Sequence, residues 1–280
     1  RLPSILLKLS RYPKMRLGRM QDIGGIRIIL PTVNDVYFVI NALKKSHWKH
    51  TLHNEKNYIE EPQKSGYRSF HLIYAYNNQQ APKEYQGLHV EIQVRTRLQH
   101  IWATAVETIG TFVAHSLKSS QGPQAWLDYL KLVSAIFAIE EKTPLPPDFQ
   151  VETPQQLVSK LYDQTIALKV FPSLDSFHRA MKFPDDKRFK NKLDIANNRG
   201  LATIFNQNNL EEATFQYSEF ERNKKDNEDA VLVSSSSLKE LKKAYPNYFI
   251  DSGDFLKQLN RIFKNYGLAE IVIPHTNSEA

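Results

Sequence analysis

Two short apolar stretches of the chain each carry one carboxylate and one arginine. Asp22 and Arg27 belong to "DIGGIRIIL", and Glu91 and Arg95 belong to "VEIQVRT". Carboxylate oxygens are ligands that Mg²⁺ accepts while it keeps several waters, and guanidinium groups neutralise phosphate charge. These residue types together are typical of phosphoryl-group transfer, which depends on positioning and electrostatic stabilisation.

A third stretch, "KSGYRSFHLIY", adds aromatic and basic groups. The two-residue period of a strand places Tyr67 and His71 on one face, with Lys64 and Arg68 nearby. An exposed tyrosine can stack on a nucleotide base. The alternative is an aromatic-rich strand after a turn, with His71 satisfied in the core.

The elements that must position these residues follow from hydrophobic periodicity. Strands are predicted near 24–30, 48–59, 67–76 and 86–95, and a helix that Thr32 or Asn34 caps follows the first strand. In "HVEIQVRT" the valines and isoleucine alternate with Glu91, Gln93 and Arg95, so the polar side chains share one sheet face. Two long helices, 97–118 and 124–141, come next. This order predicts an α+β fold, a mixed β-sheet flanked by helices.

A proline-rich linker, "KTPLPPDFQVETP", divides the predicted domains into 1–145 and 146–280. The second, a small α+β unit, is expected to hold a helix after 153, a hairpin turning at 197–200, a charged helix at 210–225, a strand "DAVLVSS", a helix at 236–244 and a final amphipathic helix from about 252.

Composition bounds the function more loosely. The 280 residues carry a formal charge of +7, which favours polyanionic ligands. The chain has no cysteine and no apolar run long enough for a membrane span, so we expect a cytoplasmic protein with no membrane partner. Because the sequence begins at Arg1 without methionine, we expect a fragment that lacks an upstream segment.

The three motifs, in this order and spacing from about residue 3 to 117, resemble the synthetase domain of RelA/SpoT proteins, especially the small alarmone synthetases. The resemblance implies a nucleotidyltransferase-like fold and a pyrophosphokinase that uses ATP and Mg²⁺. Asp22 and Glu91 match the metal carboxylates, Arg27 the arginine that stacks on adenine, and Tyr67 the tyrosine that stacks on the acceptor base. The catalytic set is then Asp22, Glu91 and Gln93, and the ATP- and phosphate-binding set is Lys8, Arg27, Lys64, His71 and Arg95.

The region after the linker resembles fused toxin–antitoxin synthetases of the CapRel kind. That resemblance implies transfer to the 3′-terminal adenosine of tRNA in phage defence, a phage protein as trigger, and a metal-free zinc-finger-like domain that occludes the ATP site. The occluding motif that the resemblance implies is Tyr-x-x-Tyr. Tyr245 with Tyr248 matches it, and Phe263 with Tyr266 in the last helix differs at the first position; core packing is the alternative for both pairs. The basic run Lys14, Arg16 and Arg19 is a hypothetical site for the tRNA acceptor stem.

Other functions remain open at the level of sequence. Synthesis of (p)ppGpp from GDP or GTP is the alternative enzymatic function, and an RNA-binding module is the non-enzymatic one. A polymerase-type nucleotidyltransferase would need a Gly-Ser turn and a close Asp-x-Asp pair, and neither is present. His50-x-x-His53 has the spacing of metal ligands, but no carboxylate completes the set.

Overall fold

The computed structural model describes residues 24–112, 123–149, 151–175, 192–197, 202–206, 230–234 and 248–272, with short pieces at 9, 20, 215–216, 218–219 and 222–223. These residues form two compact units. The first contains the described residues up to 100 together with 134–149, and the second contains those of 101–133 and those from 151 onward. The predicted domain boundary near 145 stays a prediction.

A mixed four-stranded sheet forms the centre of the first unit. Its strands are β1 (Gly24–Leu30), β2 (Thr51–Asn57), β3 (Phe70–Ala75) and β4 (His89–Thr96). Their order across the sheet is β1-β4-β3-β2. Strand β4 runs parallel to β1 and antiparallel to β3, which also pairs antiparallel with β2. The prediction of an α+β fold with a mixed sheet is confirmed.

One face of this sheet packs in the hydrophobic core of the first unit. Phe70, Leu72, Ile92 and Val94 are buried there with residues of helix α1 (Val33–Lys45). This helix begins where the sequence predicts, because Thr32 forms a capping box with Asp35. The alternation of β3 and β4 therefore leaves their other side chains on the opposite face.

Two helices follow the sheet along the chain. Helix α2 (Arg97–Phe112) matches the first part of the predicted helix, whose remaining residues lie outside the described part of the chain, and α3 (Gln124–Glu141) has the predicted bounds. The two pack together in the second unit, where the Trp102 indole donates a hydrogen bond to the Leu130 carbonyl at 2.7 Å.

The second unit continues with helix α4 (Pro154–Ala167), a small sheet and helix α5 (Tyr248–Asn265). The sheet contains β5 (Lys192–Asn197), β6 (Ala202–Asn206) and β7 (Ala230–Ser234), in the order β6-β5-β7 with antiparallel pairing. The predicted hairpin strands and the strand "DAVLVSS" are confirmed, and the predicted helix at 236–244 lies outside the described residues. In the parts of the chain that the structure describes, no helix is long and apolar enough to cross a bilayer.

Candidate active site

The candidate site lies on the sheet face opposite the core, across β1, β4 and β3. The parallel register pairs Gly25 with Glu91 and Arg27 with Gln93, and the antiparallel register pairs Gln93 with His71. Paired residues of neighbouring strands share a face, so the structure brings four predicted site residues, on three strands, to one side of the sheet.

The carboxylate of Glu91 is held by two of these side chains. His71 Nδ1 lies 2.7 Å from Glu91 Oε1, and Gln93 Nε2 donates to Glu91 Oε2 at 2.8 Å. The His71 and Glu91 side chains are only 11% and 12% exposed, so the polar face is not an ordinary water-facing strand surface. Two hydrogen bonds, one to each oxygen, fix the orientation of this carboxylate.

A tight loop before β3 brings Tyr67 to the same place. Gly66 N–H donates to the Gln63 carbonyl, and Gly66 has φ +88°, a left-handed conformation that glycine adopts without strain. The Tyr67 hydroxyl lies 2.8 Å from His71 Nε2. A continuous line of contacts therefore joins Tyr67, His71 and Glu91. Tyr58, which sequence reasoning missed, packs edge-on against the Tyr67 and His71 rings.

The charges around Tyr67 converge on its phenol. Burial raises the pKa of Tyr67, and the nearby guanidinium of Arg95 opposes that rise. The Glu91 carboxylate raises the same pKa and the Arg27 guanidinium lowers it. Burial therefore sets the direction of the pKa shift, and the two guanidinium groups limit it.

Arg95 lies deeper than a surface phosphate-binding arginine would. Arg95 is only 3% exposed, and its Nη2 lies 2.5 Å from His100 Nδ1. Since arginine can only donate, His100 Nδ1 accepts this bond. Sequence reasoning missed His100. A contact between Arg95 and a polyphosphate stays a prediction.

Arg68 is a basic neighbour of Tyr67 in sequence but does not face the site as a surface charge. Its side chain is 2% exposed and pairs with Glu141 of α3 at 2.6 Å. Burial lowers the pKa of Arg68, and the Glu141 carboxylate raises it. Lys64, by contrast, is exposed beside the Tyr67 loop.

The fit of the site to Mg²⁺ can be tested on Glu91. A carboxylate held by a histidine and an amide is the outer-shell arrangement that orients metal ligands, and hard oxygen donors suit Mg²⁺. The second predicted ligand, Asp22, lies outside the described residues, two positions before the start of β1. In the described parts of the chain there is no group of three or more histidine, aspartate or glutamate side chains that could hold a metal alone. Glu91 therefore fits as one ligand of a site that substrate phosphates and Asp22 would complete.

Several predicted residues cannot be placed on this site. Those outside the described part of the chain are Lys8, Lys14, Arg16, Arg19, Asp22 and Tyr245. Tyr248 begins α5. Phe263 is fully buried and packs edge-on against Tyr162 at 5.0 Å, and the Tyr266 carbonyl accepts a hydrogen bond from Gln155. Occlusion of the ATP site by these aromatic residues stays a prediction.

The pair His50 and His53 does not form a shared site. His50 Nδ1 accepts a hydrogen bond from the Asn77 backbone and its ring stacks on Tyr76, whereas His53 stacks on His89 with ring centroids 4.3 Å apart. The two side chains thus have different neighbours.

Comparison with known proteins gives this geometry a family context. Residues 1–111 match the family model described as "Region found in RelA / SpoT proteins". GTP pyrophosphokinase YjbM of Bacillus subtilis (strain 168) is 38% identical over 103 residues, which cover 36% of this chain and 48% of that protein. GTP pyrophosphokinase YwaC of the same organism is 40% identical over 107 residues, which cover 36% of this chain and 50% of that protein. The chain spans about half the length of the curated relatives it matches.

Two solved structures of small alarmone synthetases also resemble part of the chain. The small alarmone synthetase 1 of Bacillus subtilis bound to its product pppGpp has a TM-score of 0.42 and 28% identity over 51% of this chain and 70% of that one. Small alarmone synthetase 2 of the same organism has a TM-score of 0.42 and 30% identity over 51% of this chain and 72% of that one. Residues 1–111 are thus similar to the region found in RelA/SpoT proteins and to the GTP pyrophosphokinases of Bacillus subtilis.

Proposed function

We propose that this chain is an ATP-dependent pyrophosphokinase that transfers the β,γ-pyrophosphate of ATP to the 3′-hydroxyl of GDP or GTP. The observation that carries the proposal is the line of contacts from Tyr67 through His71 to Glu91, inside a region that matches RelA/SpoT proteins. The relatives that match are named as GTP pyrophosphokinases. They support a guanosine nucleotide as acceptor over tRNA.

In this mechanism the acceptor 3′-oxygen attacks the β-phosphorus of ATP. The bond from that phosphorus to the α,β-bridging oxygen breaks, and AMP leaves. The 3′-hydroxyl proton passes to the carboxylate of Glu91, whose orientation His71 and Gln93 fix. Mg²⁺, held by Glu91 with Asp22, would neutralise charge on the phosphates.

The remaining side chains bind and orient the substrates. Tyr67 stacks on the acceptor base, and the position of its phenol next to His71 fixes the ring. Arg27, exposed on β1 and aligned with Gln93, stacks on the adenine of ATP. Lys8, Lys64 and Arg95 supply positive charge to the polyphosphate.

The tRNA 3′ end is the second candidate acceptor. It is favoured by the basic run Lys14, Arg16 and Arg19 and by the long continuation of the chain past residue 111, the last residue of the family match. In that case the chain acts as a CapRel-type toxin restrained by its own second domain and released by a phage protein. Replacing the three basic residues with glutamate would abolish tRNA labelling and spare labelling of GDP.

One assay separates these functions. The protein is incubated with γ-³²P-ATP and Mg²⁺ together with GDP, GTP or tRNA, and the labelled product is identified. Label on GDP or GTP that His71→Ala abolishes supports the proposal. Label on tRNA alone would show that the tRNA 3′ end is the acceptor. No label on any acceptor, together with binding of RNA, would support a non-enzymatic RNA-binding module.

A further inference from the structure

Behind Tyr67 lies a buried ionic cluster that the proposed mechanism does not use. Arg68 Nη1 donates to Glu141 Oε2 at 2.6 Å and to Thr143 Oγ1 at 3.1 Å, and Arg68 Nε donates to Ser134 Oγ at 3.2 Å. The Arg68 and Glu141 side chains are 2% and 7% exposed. All of these residues belong to the first unit.

Glu141 connects this cluster to the end of β4. Its Oε1 accepts a hydrogen bond from the Thr96 hydroxyl, and its Oε2 accepts one from Gln99 Nε2 at 3.2 Å. Gln99 Oε1 in turn accepts from the Thr96 backbone N–H at 3.1 Å. Thr96 follows Arg95 directly, so the carboxylate at the end of α3 fixes the backbone beside a predicted phosphate-binding residue.

Ser134 connects the cluster to the other side of Tyr67. Its hydroxyl donates to the Gly66 carbonyl at 2.5 Å while it accepts from Arg68. Gly66 and Arg68 are the two chain neighbours of Tyr67. Both are therefore bonded to α3, and the ring between them has little freedom to move along or across the sheet.

A buried ion pair of this kind is a poor explanation for stability alone. Desolvation of two charges offsets most of their attraction, and well-packed apolar replacements are often equally stable. What such a pair does provide is a defined geometry, because each charged group demands particular partners.

We propose that Arg68 and Glu141 are positioning residues that hold Tyr67 where it stacks on the acceptor nucleotide. The proposal rests on the proposed function, since Tyr67 binds the acceptor there. It goes beyond it by assigning acceptor affinity to a pair of residues that do not touch the substrate.

The test removes the charges without leaving one of them unpaired. In Arg68→Met/Glu141→Leu both charges are replaced by apolar side chains, so we expect a folded protein. Its thermal midpoint should fall modestly, because the buried Thr96 hydroxyl and Gln99 amide lose their acceptor on Glu141. The KM for GDP or GTP should rise about tenfold, because a base that loses its stacking on a fixed aromatic ring loses binding energy of that order. The KM for ATP should rise less, because the Thr96 backbone beside Arg95 keeps its bond to Gln99. The matched control is Lys44→Met/Glu55→Leu, which removes an exposed ion pair of the same unit and should leave both constants unchanged.

A second readout does not depend on activity. The Gln63 and Gly66 amides donate within the Tyr67 loop, to the Tyr67 and Gln63 carbonyls respectively, and their hydrogen exchange should become faster in the double variant. Ser134→Ala, which keeps the ion pair but frees Gly66, should show the same faster exchange and carries the test if the double variant does not fold. A folded double variant with wild-type acceptor KM and wild-type exchange overturns the proposal. If wild-type protein labels no acceptor, the proposed function fails, and the exchange rates alone decide whether the cluster holds the loop.

Discussion

Glu91→Gln is the most direct test of the candidate site. The substitution keeps the size of the side chain and removes its charge. Both carboxylate oxygens accept hydrogen bonds, from His71 at 2.7 Å and from Gln93 at 2.8 Å. The amide retains one oxygen for one of them, and Gln93 can rotate its own amide to accept from the other end. The fold should therefore be retained.

The catalytic cost follows from what the charge does. Loss of one preorganised charged partner at a reacting centre costs about 2.7–4 kcal/mol, or roughly 10²–10³ in kcat. The same loss should raise the concentration of Mg²⁺ that gives half-maximal rate, because one of its hard ligands has become neutral. The loss of folding stability should be about 1–3 kcal/mol, the cost of weakened hydrogen bonds to a charged group.

The assay measures initial rates of pyrophosphate transfer across a Mg²⁺ titration, with thermal midpoints recorded in parallel. Glu55→Gln is the matched control, since Glu55 is an exposed carboxylate of the same sheet that pairs with Lys44. It should keep the wild-type rate and Mg²⁺ dependence. A Glu91→Gln protein that is folded and retains more than half of the wild-type rate at every Mg²⁺ concentration would refute the assignment of Glu91 to metal and proton transfer.

Two further predictions concern the close approach of β1 to β4 and the buried hydroxyl of Tyr129. A Cβ at Gly25 would lie 3.1 Å from the Glu91 carbonyl oxygen. Gly25→Ala should therefore push β1 away from β4 and lower kcat/KM about tenfold. Gly24→Ala is the control, because a Cβ there meets no described atom within 4 Å, and it should leave kcat/KM unchanged. Burial raises the pKa of Tyr129, whose hydroxyl lies 3.1 Å from Thr165 Oγ1. Because the folded-state pKa is the higher one, this contribution to stability is complete below about pH 10 and is lost as pH rises further. Thermal midpoints from about pH 8 to 11 should fall less in Tyr129→Phe than in wild type, and equal slopes would contradict the prediction.

The sheet and its two faces were predictable because their sequence signals are local. Strict alternation in β4 places Glu91 and Gln93 opposite Ile92 and Val94, and the burial of these residues follows that period. The capping box at Thr32 and the bounds of α3 follow equally from local patterns. The pairing of β4 with β1 and with β3 then brings the three sequence motifs side by side in the sheet.

The ionic cluster behind Tyr67 could not be predicted in this way. Arg68 and Glu141 are far apart in sequence, and each occurs in a context that also fits an exposed charge. Their pairing depends on where α3 ends relative to the Tyr67 loop, which is a property of tertiary packing. The same reason explains why sequence reasoning treated Arg68 as a neighbour of the site and missed Tyr58 and His100.

Truncation near residue 150 is a simple test of restraint by the second domain, but the structure argues against that design. The second unit includes residues 101–133 as well as those from 151 onward. A chain that ends near 150 would lack Thr165, the hydrogen-bond partner of the buried Tyr129 hydroxyl. Loss of activity on truncation would then report damaged packing together with any change in restraint.

Point variants separate the two effects. Phe263 is fully buried against Tyr162, so Phe263→Ala should cost about 3–5 kcal/mol of stability whether or not it restrains the enzyme. Tyr266 is only partly buried and follows α5, so Tyr266→Ala should leave the thermal midpoint nearly unchanged. If an aromatic side chain of this segment occludes the ATP site, Tyr266→Ala or the companion variant Tyr245→Ala will lower the KM for ATP and raise the rate at low ATP. Wild-type ATP kinetics in both folded variants would contradict occlusion of the ATP site by Tyr245 or Tyr266.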